Sequence, residues 1–280
     1  MAPFARTPIA PLEYSRTLWM RLWVSAVMLF LYAPLIVLVI FSFNDSKRNV
    51  VWRGFTTKYY EKALGNDQLV EALLNSLTIA ALATIASLAL GAVAAMMLWR
   101  FRFPLKGAVD GTISLPIIVP EICLGVAFLM FFAAAGWPTD LVWPFNLGAI
   151  TIAHITFCFP FVTMVVRSRL ATFNREQEEA AKDLGASEWQ VFRDVLIPHI
   201  KPALIAGALL SFTLSLDDFV ITYFTSGPDT ITFPVKVYSM VRFSVTPEVN
   251  AASTLLIILT VALTFVALKA QGVKAIAETH

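Results

Sequence analysis

The chain contains few charged residues and no long basic or nucleotide-binding segment. Asp, Glu, Lys and Arg make up only 14% of its 280 residues, compared with about 25% in an ordinary soluble domain. The formal net charge is +2 and no block of Lys and Arg occurs, which excludes a nucleic-acid-binding protein. No GxxxxGK(S/T) stretch occurs either, so the chain has no P-loop with which to hold nucleotide phosphates.

Cysteine is also scarce. The two cysteines, Cys123 and Cys158, are far apart in the sequence, and each lies in an apolar stretch without a CxxC pair or a nearby His. We interpret both as small buried residues of helices rather than as metal ligands or redox groups. The sequence therefore predicts neither a metal site nor a cofactor.

Apolar residues are abundant and are concentrated in long runs. Hydrophobic residues make up 58% of the chain, and about 20 of them in a row cross a hydrocarbon layer about 30 Å thick. Six runs are predicted to be membrane-spanning helices, and they comprise residues 22–43, 73–98, 113–135, 142–166, 203–224 and 251–268. The sequence therefore predicts an all-α, polytopic protein of the lipid bilayer.

The basic residues predict the orientation of these helices. Arg6, Arg16 and Arg21 precede the first run. This run is longer than the hydrophobic region of a signal peptide, which has about 7–15 residues, and it lacks a small-x-small cleavage site. We therefore expect it to be an uncleaved anchor. Arg100 and Arg102 follow the second run. Together with the three N-terminal arginines, they predict that both termini lie in the cytoplasm. The predicted segments are a cytoplasmic N-terminus (1–21), a first membrane helix (22–43), a periplasmic loop (44–72), a five-helix core (73–268) that includes a cytoplasmic loop (167–202), and a cytoplasmic tail (269–280).

The cytoplasmic loop has the signals of two short helices. Asn174 precedes "REQEEAAKDL" and Gly185 follows it, which predicts a helix with an N-cap and a left-handed glycine at its end. Ser187 and Gln190 form a capping-box pattern for a second helix, which Pro198 is expected to stop. The loop is therefore predicted to be a helix, a glycine turn and a helix.

The two loop helices differ in their apolar residues. Ala180, Ala181 and Leu184 would give the first helix a shallow apolar patch, flanked by charge and suited to a groove in another protein. The second helix is expected to pack against the membrane helices through its larger apolar residues, Trp189, Phe192 and Val195. A solvated surface hairpin is the alternative if helix signals alone are considered.

The spacing of the loop resembles the EAA motif of permease subunits of binding-protein-dependent ABC importers. In that pattern Glu-Ala-Ala, three residues, Gly, nine residues, aliphatic-x-aliphatic and Pro recur, and here the identical residues are Glu179, Ala180, Ala181, Gly185 and Pro198, with Val195 and Ile197 at the aliphatic positions. The resemblance implies a type I ABC importer permease fold with six membrane helices and both termini inside. It also implies that the first loop helix is a coupling helix that docks on a separate ATPase subunit.

Further segments resemble the second permease subunit of spermidine and putrescine importers. They are "AHITFCFPFV" at 153–162, "EAAKDLGAS", "FTLSLDDFVI" and "VYSMVRFSVTPEVNA", while "LLNSLTIA" at 73–80 resembles the start of the core that these permeases share. The resemblance implies a non-catalytic subunit of the bacterial inner membrane that works with a second homologous permease, two ATPase subunits and a periplasmic binding protein. Related permeases for other solutes share the same core, so another solute is an alternative, and the sequence does not choose between putrescine and spermidine.

Two adjacent carboxylates, Asp217 and Asp218, interrupt the fifth run. An Asp at the centre of a membrane helix costs about 2.5 to 3.5 kcal/mol, whereas a route for a polyamine needs carboxylates and aromatic faces. We therefore predict that the substrate pathway contains Asp217, Asp218, Glu121, Phe219 and Tyr223. Adjacent residues of a helix diverge by about 100°, so one aspartate, for preference Asp217, is expected to face the route while the other caps a break or bonds a neighbouring helix.

A proton-coupled secondary transporter is the rival interpretation. In that case Glu121, His154, Asp217 and Asp218 would form a proton relay, but the EAA loop would have no purpose. Glu121 follows two prolines and could instead satisfy a helix kink, and His154 is expected to make an interhelical hydrogen bond. A scaffold that transports nothing would have little reason to bury paired carboxylates.

Overall fold

The structure, a computed structural model, describes residues 18–46, 51–138, 141–143, 145–243 and 246–270. Arg6, Arg16 and most of the predicted segments 1–21 and 269–280 lie outside the described residues. In the described part of the chain the regular structure is helical, apart from one isolated β-bridge between Asn44 and Phe55. The prediction of an all-α protein is confirmed.

Twelve α-helices form the described part of the chain. They are α1 (Leu18–Phe41), α2 (Lys58–Leu64), α3 (Asp67–Arg100), α4 (Lys106–Ile118), α5 (Glu121–Ala134), α6 (Gly148–Leu170), α7 (Glu176–Asp183), α8 (Glu188–Val191), α9 (Ile197–Asp217), α10 (Val220–Thr225), α11 (Phe233–Phe243) and α12 (Pro247–Ala270). A 3-10 turn (Phe145–Leu147) precedes α6 and a π turn (Phe192–Leu196) joins α8 to α9.

Among the described residues, five helical segments are long and apolar enough to cross a membrane, or six if α4 and α5 count together as one bent span. Four of them, α1, α3, α6 and α12, correspond to the first, second, fourth and sixth predicted runs. The third and fifth predicted runs are each interrupted in the structure.

The third predicted span is broken. The axes of α4 and α5 differ by 106°, and the break comes at Val119 and Pro120, where Val119 is extended (φ −73°, ψ 132°). Proline has no N–H to continue the helical ladder and disfavours helical geometry at the residue before it. The prediction of one helix over 113–135 is therefore wrong, and Glu121 begins α5 instead of lying inside a continuous span.

The fifth predicted span is also interrupted. Helix α9 ends at Asp217, Asp218 is extended (φ −61°, ψ 125°), and α10 begins at Val220. The prediction of one helix over 203–224 is wrong, because the side chain of Asp218 bonds the backbone beyond the break.

At its other end, α9 extends further than expected. The predicted stop at Pro198 is wrong: α8, the π turn and α9 form one helical run from Glu188 to Asp217. Pro198 lies in the first turn of α9, where a missing N–H is tolerated, and the wider π turn before it adjusts the ladder.

The chain divides into two compact units, residues 1–63 with 244–255, and residues 64–243 with 256–280. In the first unit the loop after α1 is held by polar and ring contacts. The side chain of Asn44 accepts from the backbone N–H of Arg53 at 2.8 Å and donates to the carbonyl of Val51 at 2.9 Å. The ring of Phe43 stacks on that of Phe55 with 5.2 Å between centroids.

The second unit is built on close packing of α3, α6 and α9. A Cβ added to Gly91 of α3 would lie 2.7 Å from the Cβ of Val162 of α6, and one added to Gly207 of α9 would lie 3.3 Å from Val162 Cγ1. Glycine is therefore needed for the close approach of α3 to α6. The buried core around this contact comprises Ala95, Val162, Val166, Leu170, Phe173, Leu196, Ile200 and Ala203, and it continues into the loop between α6 and α9.

Candidate functional site

The loop between α6 and α9 forms the predicted helix, glycine turn and helix, but the prediction of Asn174 as the N-cap is wrong: the N-cap of α7 is Arg175, which makes no side-chain cap bond. The Asn174 side chain accepts from the N–H of Glu176 at 3.0 Å, which satisfies one free donor at the start of α7. At the other end Gly185 has a φ of +86°, and the N–H of Ala186 donates to the carbonyl of Ala181 at 3.0 Å. This is the left-handed termination that favours glycine, so the predicted role of Gly185 in the turn is confirmed.

The second loop helix begins with the predicted capping box. The Gln190 side chain accepts from the N–H of Ser187 at 2.7 Å, and the Ser187 hydroxyl accepts from the N–H of Gln190 at 3.4 Å. The ammonium of Lys182 in α7 donates to Glu188 in α8 at 2.5 Å. Capping and this contact hold the two short helices around the glycine turn.

One face of the loop is open. Glu179, Ala180 and Gly185 are exposed, Ala181 is half-buried, and 90% of the Leu184 surface is accessible. An apolar side chain as exposed as Leu184, surrounded by charge, is suited to contact with another protein.

The larger apolar residues of the second loop helix lie in two different environments. Phe192 and Val195 pack against the buried core, as predicted. Trp189 does not: it is 65% exposed and stacks on the ring of Phe192 with 5.5 Å between centroids. The prediction for Trp189 is wrong because this residue lies a turn nearer to the exposed glycine turn, and Phe192 fills the place against the core.

An ion pair between a partly exposed arginine and a buried glutamate joins the loop to α3. The carboxylate of Glu178, whose side chain is 9% exposed, accepts from Nη1 of Arg100 at 2.8 and 2.9 Å. Beside it, the guanidinium carbon of Arg175 lies 4.8 Å from the ring centroid of Trp99. Since Trp99 and Arg100 end α3, these contacts attach α7 to the end of that helix. Sequence reasoning missed this pair, because it used Arg100 only for orientation and did not distinguish Glu178 from the acids around it.

Asp218 is a structural acid. Its carboxylate accepts from the backbone N–H of Ile221 at 3.3 Å and from the N–H and the hydroxyl of Thr222, each at 2.8 Å. These bonds satisfy N–H groups at the start of α10 that would otherwise be unpaired. Asp218 is 8% exposed, and one aspartate of the doublet therefore caps the helix after the break, as the sequence allowed.

His154 connects three helices beside this cap. Its Nδ1 is 2.7 Å from the Ser215 hydroxyl of α9, and its Nε2 is 2.9 Å from the Thr222 hydroxyl of α10. Nε2 also lies 3.4 Å from Asp218. The predicted interhelical hydrogen bonding of His154 is confirmed, and the imidazole and Asp218 form one buried network.

Asp217 has the opposite environment. It is exposed at the end of α9, and its carboxylate pairs with no cation in the part of the chain that the structure describes. Glu121, the exposed first residue of α5, likewise forms no ion pair with the residues that the structure describes. Two exposed acids on different helices are thus left without a cation partner in the described part of the chain.

Three aromatic rings follow the break. The ring centroids of Phe219 and Tyr223 are 5.5 Å apart, and Tyr238 of α11 lies 4.8 Å from Phe219 and 6.4 Å from Tyr223. Tyr223 and Tyr238 are about half exposed, at 50% and 47%. Faces of this kind can stack on ammonium groups. Tyr238 was missed because α11 is too short to be recognised as a membrane helix.

The cysteines differ from each other. Cys158 is buried in α6, with its thiol 3.7 Å from the Ser211 carbonyl. The predicted burial of Cys123 is wrong, because the cysteine is exposed in the first turn of α5, a helix whose buried residues are Gly125 and Phe132.

Comparison with solved structures identifies the fold. The chain superimposes on a chain of a bacterial ABC transporter involved in the import of the acidic polysaccharide alginate, with a TM-score of 0.70 and 17% identity, over 94% of this chain and 99% of that one. It also matches the MetNI methionine ABC transporter, with a TM-score of 0.61 and 18% identity, over 72% of this chain and 94% of that one. The fold is that of an ABC importer permease.

The family follows from sequence. Residues 87–273 match the family described as binding-protein-dependent transport system inner membrane component, and the chain belongs to that family. It is 45% identical over 233 residues to the putrescine transport system permease protein PotI of Escherichia coli (strain K12), covering 81% of this chain and 82% of the relative. It is 41% identical over 239 residues to the spermidine/putrescine transport system permease protein PotC of the same strain, covering 85% and 88%. The chain is therefore a multi-pass protein of the inner membrane.

Proposed function

We propose that the chain is a permease subunit of an ABC importer that moves putrescine or spermidine from the periplasm to the cytoplasm. The observation that supports this most strongly is the 45% and 41% identity to relatives named for putrescine and spermidine transport. In this proposal the chain supplies part of the gate, and ATP hydrolysis takes place on a separate subunit.

The loop between α6 and α9 supplies the coupling. Glu179, Ala180, Ala181 and Gly185 form the face that seats on an ATPase subunit, and the exposure of Leu184 beside them suits such a contact. Movement of α7 then reaches α3 through the Glu178–Arg100 ion pair and reaches α9 directly, because α8 continues into it. Pro198 sets the start of α9 within this run.

The substrate route passes the end of α9. Asp217 and Glu121 provide negative charge for ammonium groups, and Phe219, Tyr223 and Tyr238 provide aromatic faces for the charges and the methylenes between them. Asp218 contributes by holding α10 in place rather than by touching the passenger, because its oxygens already accept from Ile221 and Thr222.

The working complex contains further chains. A second homologous permease completes the gate, two ATPase subunits dock on the two coupling loops, and a periplasmic binding protein delivers the polyamine. In this proposal both termini are cytoplasmic, so the coupling loop lies on the same side of the membrane as the ATPase subunits.

A proton relay is less consistent with these contacts. His154 and Asp218 form a network with Ser215 and Thr222, and no hydrogen bond among the described residues links Glu121 or Asp217, which are exposed, to that network. A proton relay also leaves the exposed face of α7 without a function. The alternative that this permease fold carries a different solute is tested by competition between solutes for uptake.

The proposal is tested with the four-part complex in proteoliposomes. We expect ATP-dependent uptake of labelled putrescine or spermidine, competition between the two amines, and no competition by an uncharged diol of the same length. A non-hydrolysable ATP analogue should stop uptake, and a protonophore should not. Uptake that needs a proton gradient instead of ATP, or that the diol inhibits as well as the amines, would overturn the proposal.

A further inference from the structure

The turn between α3 and α4 exposes two large apolar side chains. It comprises residues 101–105, and within it Phe101 is 58% exposed and Leu105 is 78% exposed. The turn joins two segments that are apolar enough to cross a membrane, α3 on one side and the bent pair of α4 and α5 on the other. Five residues span at most about 18 Å, so the exposed side chains lie close to the surface of the bilayer.

Leu105 has a backbone conformation that favours glycine. The N–H of Lys106 donates to the carbonyl of Phe103 at 3.4 Å, which closes a four-residue turn with Pro104 second and Leu105 third. Among the described residues, Leu105 is the one non-glycine residue with a positive φ, at 63°. A type II turn with proline in the second position normally has Gly or Asn in the third. The turn therefore keeps a leucine where its backbone is strained.

Leu105 also occupies a position that favours a polar residue. It is the N-cap of α4 and makes no side-chain cap bond, whereas Ser, Thr, Asp and Asn are the residues that cap helices well. Backbone strain persists in folded proteins mainly at positions with a function. Because most of the Leu105 side chain contacts nothing within the chain, we infer that its function is a contact outside the chain.

The turn also carries positive charge that the chain does not neutralise. Arg102 and Lys106 form no ion pair with the residues that the structure describes, and the ammonium of Lys106 donates to the carbonyl of Phe101 at 3.0 Å. Residues 100–109 contain no Asp or Glu, and Asp110 accepts from Arg167 at 2.6 Å. The partner of this surface is therefore expected to be both apolar and anionic.

The position of the turn favours lipid over protein as that partner. The apolar run of α3 ends at residue 98, so Phe101 lies about 5 Å beyond it, within the headgroup layer that borders the hydrocarbon core. Apolar side chains beside Lys and Arg are typical of segments that bind this layer. The face proposed to seat on an ATPase subunit is different, since its exposed Leu184 follows a helix with four acids, Glu176–Asp183.

We propose that this turn is a binding site for an anionic phospholipid. Phe101 and Leu105 insert among the headgroups and the first methylenes, and Arg102 and Lys106 donate to the phosphate. In the proposed topology the lipid belongs to the cytoplasmic leaflet. The site holds the end of α3, the helix that Arg100 joins to Glu178 of the coupling loop. The inference does not depend on which solute the importer carries.

The test identifies what contacts Leu105 in the assembled complex. The photo-crosslinking residue p-benzoylphenylalanine is introduced at Leu105, and the complex of permeases and ATPase subunits is illuminated in nanodiscs of equal parts phosphatidylglycerol and phosphatidylcholine. Mass spectrometry should find phospholipid adducts, mainly of phosphatidylglycerol. The same residue at Leu184, the exposed leucine of the coupling loop, should give adducts with an ATPase subunit and none with lipid.

The charges are tested by the ratio of phosphatidylglycerol to phosphatidylcholine adducts. Arg102→Gln and Lys106→Gln should each lower this ratio about fivefold, the effect of one Lys or Arg at an anionic membrane surface. Arg193→Gln is the control, because Arg193 is an exposed arginine of the coupling loop that pairs with Asp194, and it should leave the ratio unchanged.

Three results at Leu105 would overturn the proposal. Adducts with an ATPase subunit or with a permease would assign the turn to a protein interface, and a lack of adducts would mean that it faces water. Equal adducts of the two lipids in the wild type would refute the anionic site. A lack of ATPase adducts at Leu184 would count against the proposed coupling face and leave the lipid site standing.

Discussion

Two pairs of adjacent acids occupy different parts of this chain, and in each pair the members have opposite environments. In the loop, Glu178 is buried against Arg100 while Glu179 is exposed. At the end of α9, Asp218 is buried and bonded to Thr222 while Asp217 is exposed. The buried member of each pair is bonded within the chain, which leaves the exposed member free for a partner or a substrate.

In each pair, one acid supports the fold and the other is available for function. Glu178 and Glu179 are neighbours on α7, where adjacent side chains point about 100° apart. Asp217 instead ends α9 and Asp218 is extended after the break, so the two doublets reach the same division by different local geometry. Removing a buried acid should therefore destabilise the fold, and removing an exposed acid should alter coupling or transport while the protein stays folded. Each prediction below tests that division in one acid.

The largest effect is expected from the exposed glutamate of the loop. Glu179→Lys should abolish ATP-driven uptake, because it reverses a charge on the face proposed to seat on the ATPase subunit, while membrane insertion and thermal stability stay unchanged. Uptake that survives Glu179→Lys would remove the assigned role of this face.

The buried aspartate should matter most for stability. Asp218→Ala leaves the hydroxyl and N–H of Thr222 without their acceptor, and unsatisfied buried groups of this kind together cost about 3 kcal/mol. Asp218→Asn keeps an acceptor that caps helices well and should cost about 1 kcal/mol. Thermal unfolding of the purified protein in detergent measures both. An alanine variant as stable as the wild type would mean that the cap does not support α10.

The buried glutamate of the loop can be tested by exchange of charges. Glu178→Arg places two like charges together and should destabilise the protein by about 2 kcal/mol, less than for a fully buried pair because Arg100 is partly exposed. Arg100→Glu combined with Glu178→Arg should recover most of the stability, less the weaker contact of Arg100 with Glu188 at 3.8 Å, and should recover the amount of polyamine imported per ATP. Recovery of stability without recovery of transport would show that the pair supports the fold and does not transmit movement.

Local patterns made much of the fold predictable. The length of apolar runs identified the membrane helices, and capping residues identified the loop, down to the left-handed Gly185. Both signals depend only on residues that are close together in the sequence. The break at Pro120 was visible as a kink signal, but its angle of 106° depends on how α4 and α5 pack.

The pairing of the acids was not predictable in the same way. Arg100 and Glu178 are 78 positions apart, and the chain contains many other acids and bases that could have paired. Asp218 and Asp217 carry the same side chain, and only the break after α9 decides which one bonds α10. Tyr238 joins Phe219 across 19 positions through tertiary packing. Such contacts follow from the fold and not from a motif.

The smallest effect is expected from the exposed aspartate. Asp217→Asn removes a charge that a passing ammonium can use, and an exposed charge of this kind contributes up to about 1 kcal/mol, so uptake of the triamine spermidine should fall about threefold to fivefold. Binding of spermidine to the periplasmic protein and the thermal stability of the permease should not change, in contrast to Asp218→Ala. Unchanged uptake would refute a role for Asp217 in the route. A loss of stability as large as that of Asp218→Ala would show that both acids of the doublet are structural, and the division between buried and exposed members would not hold at this end of α9.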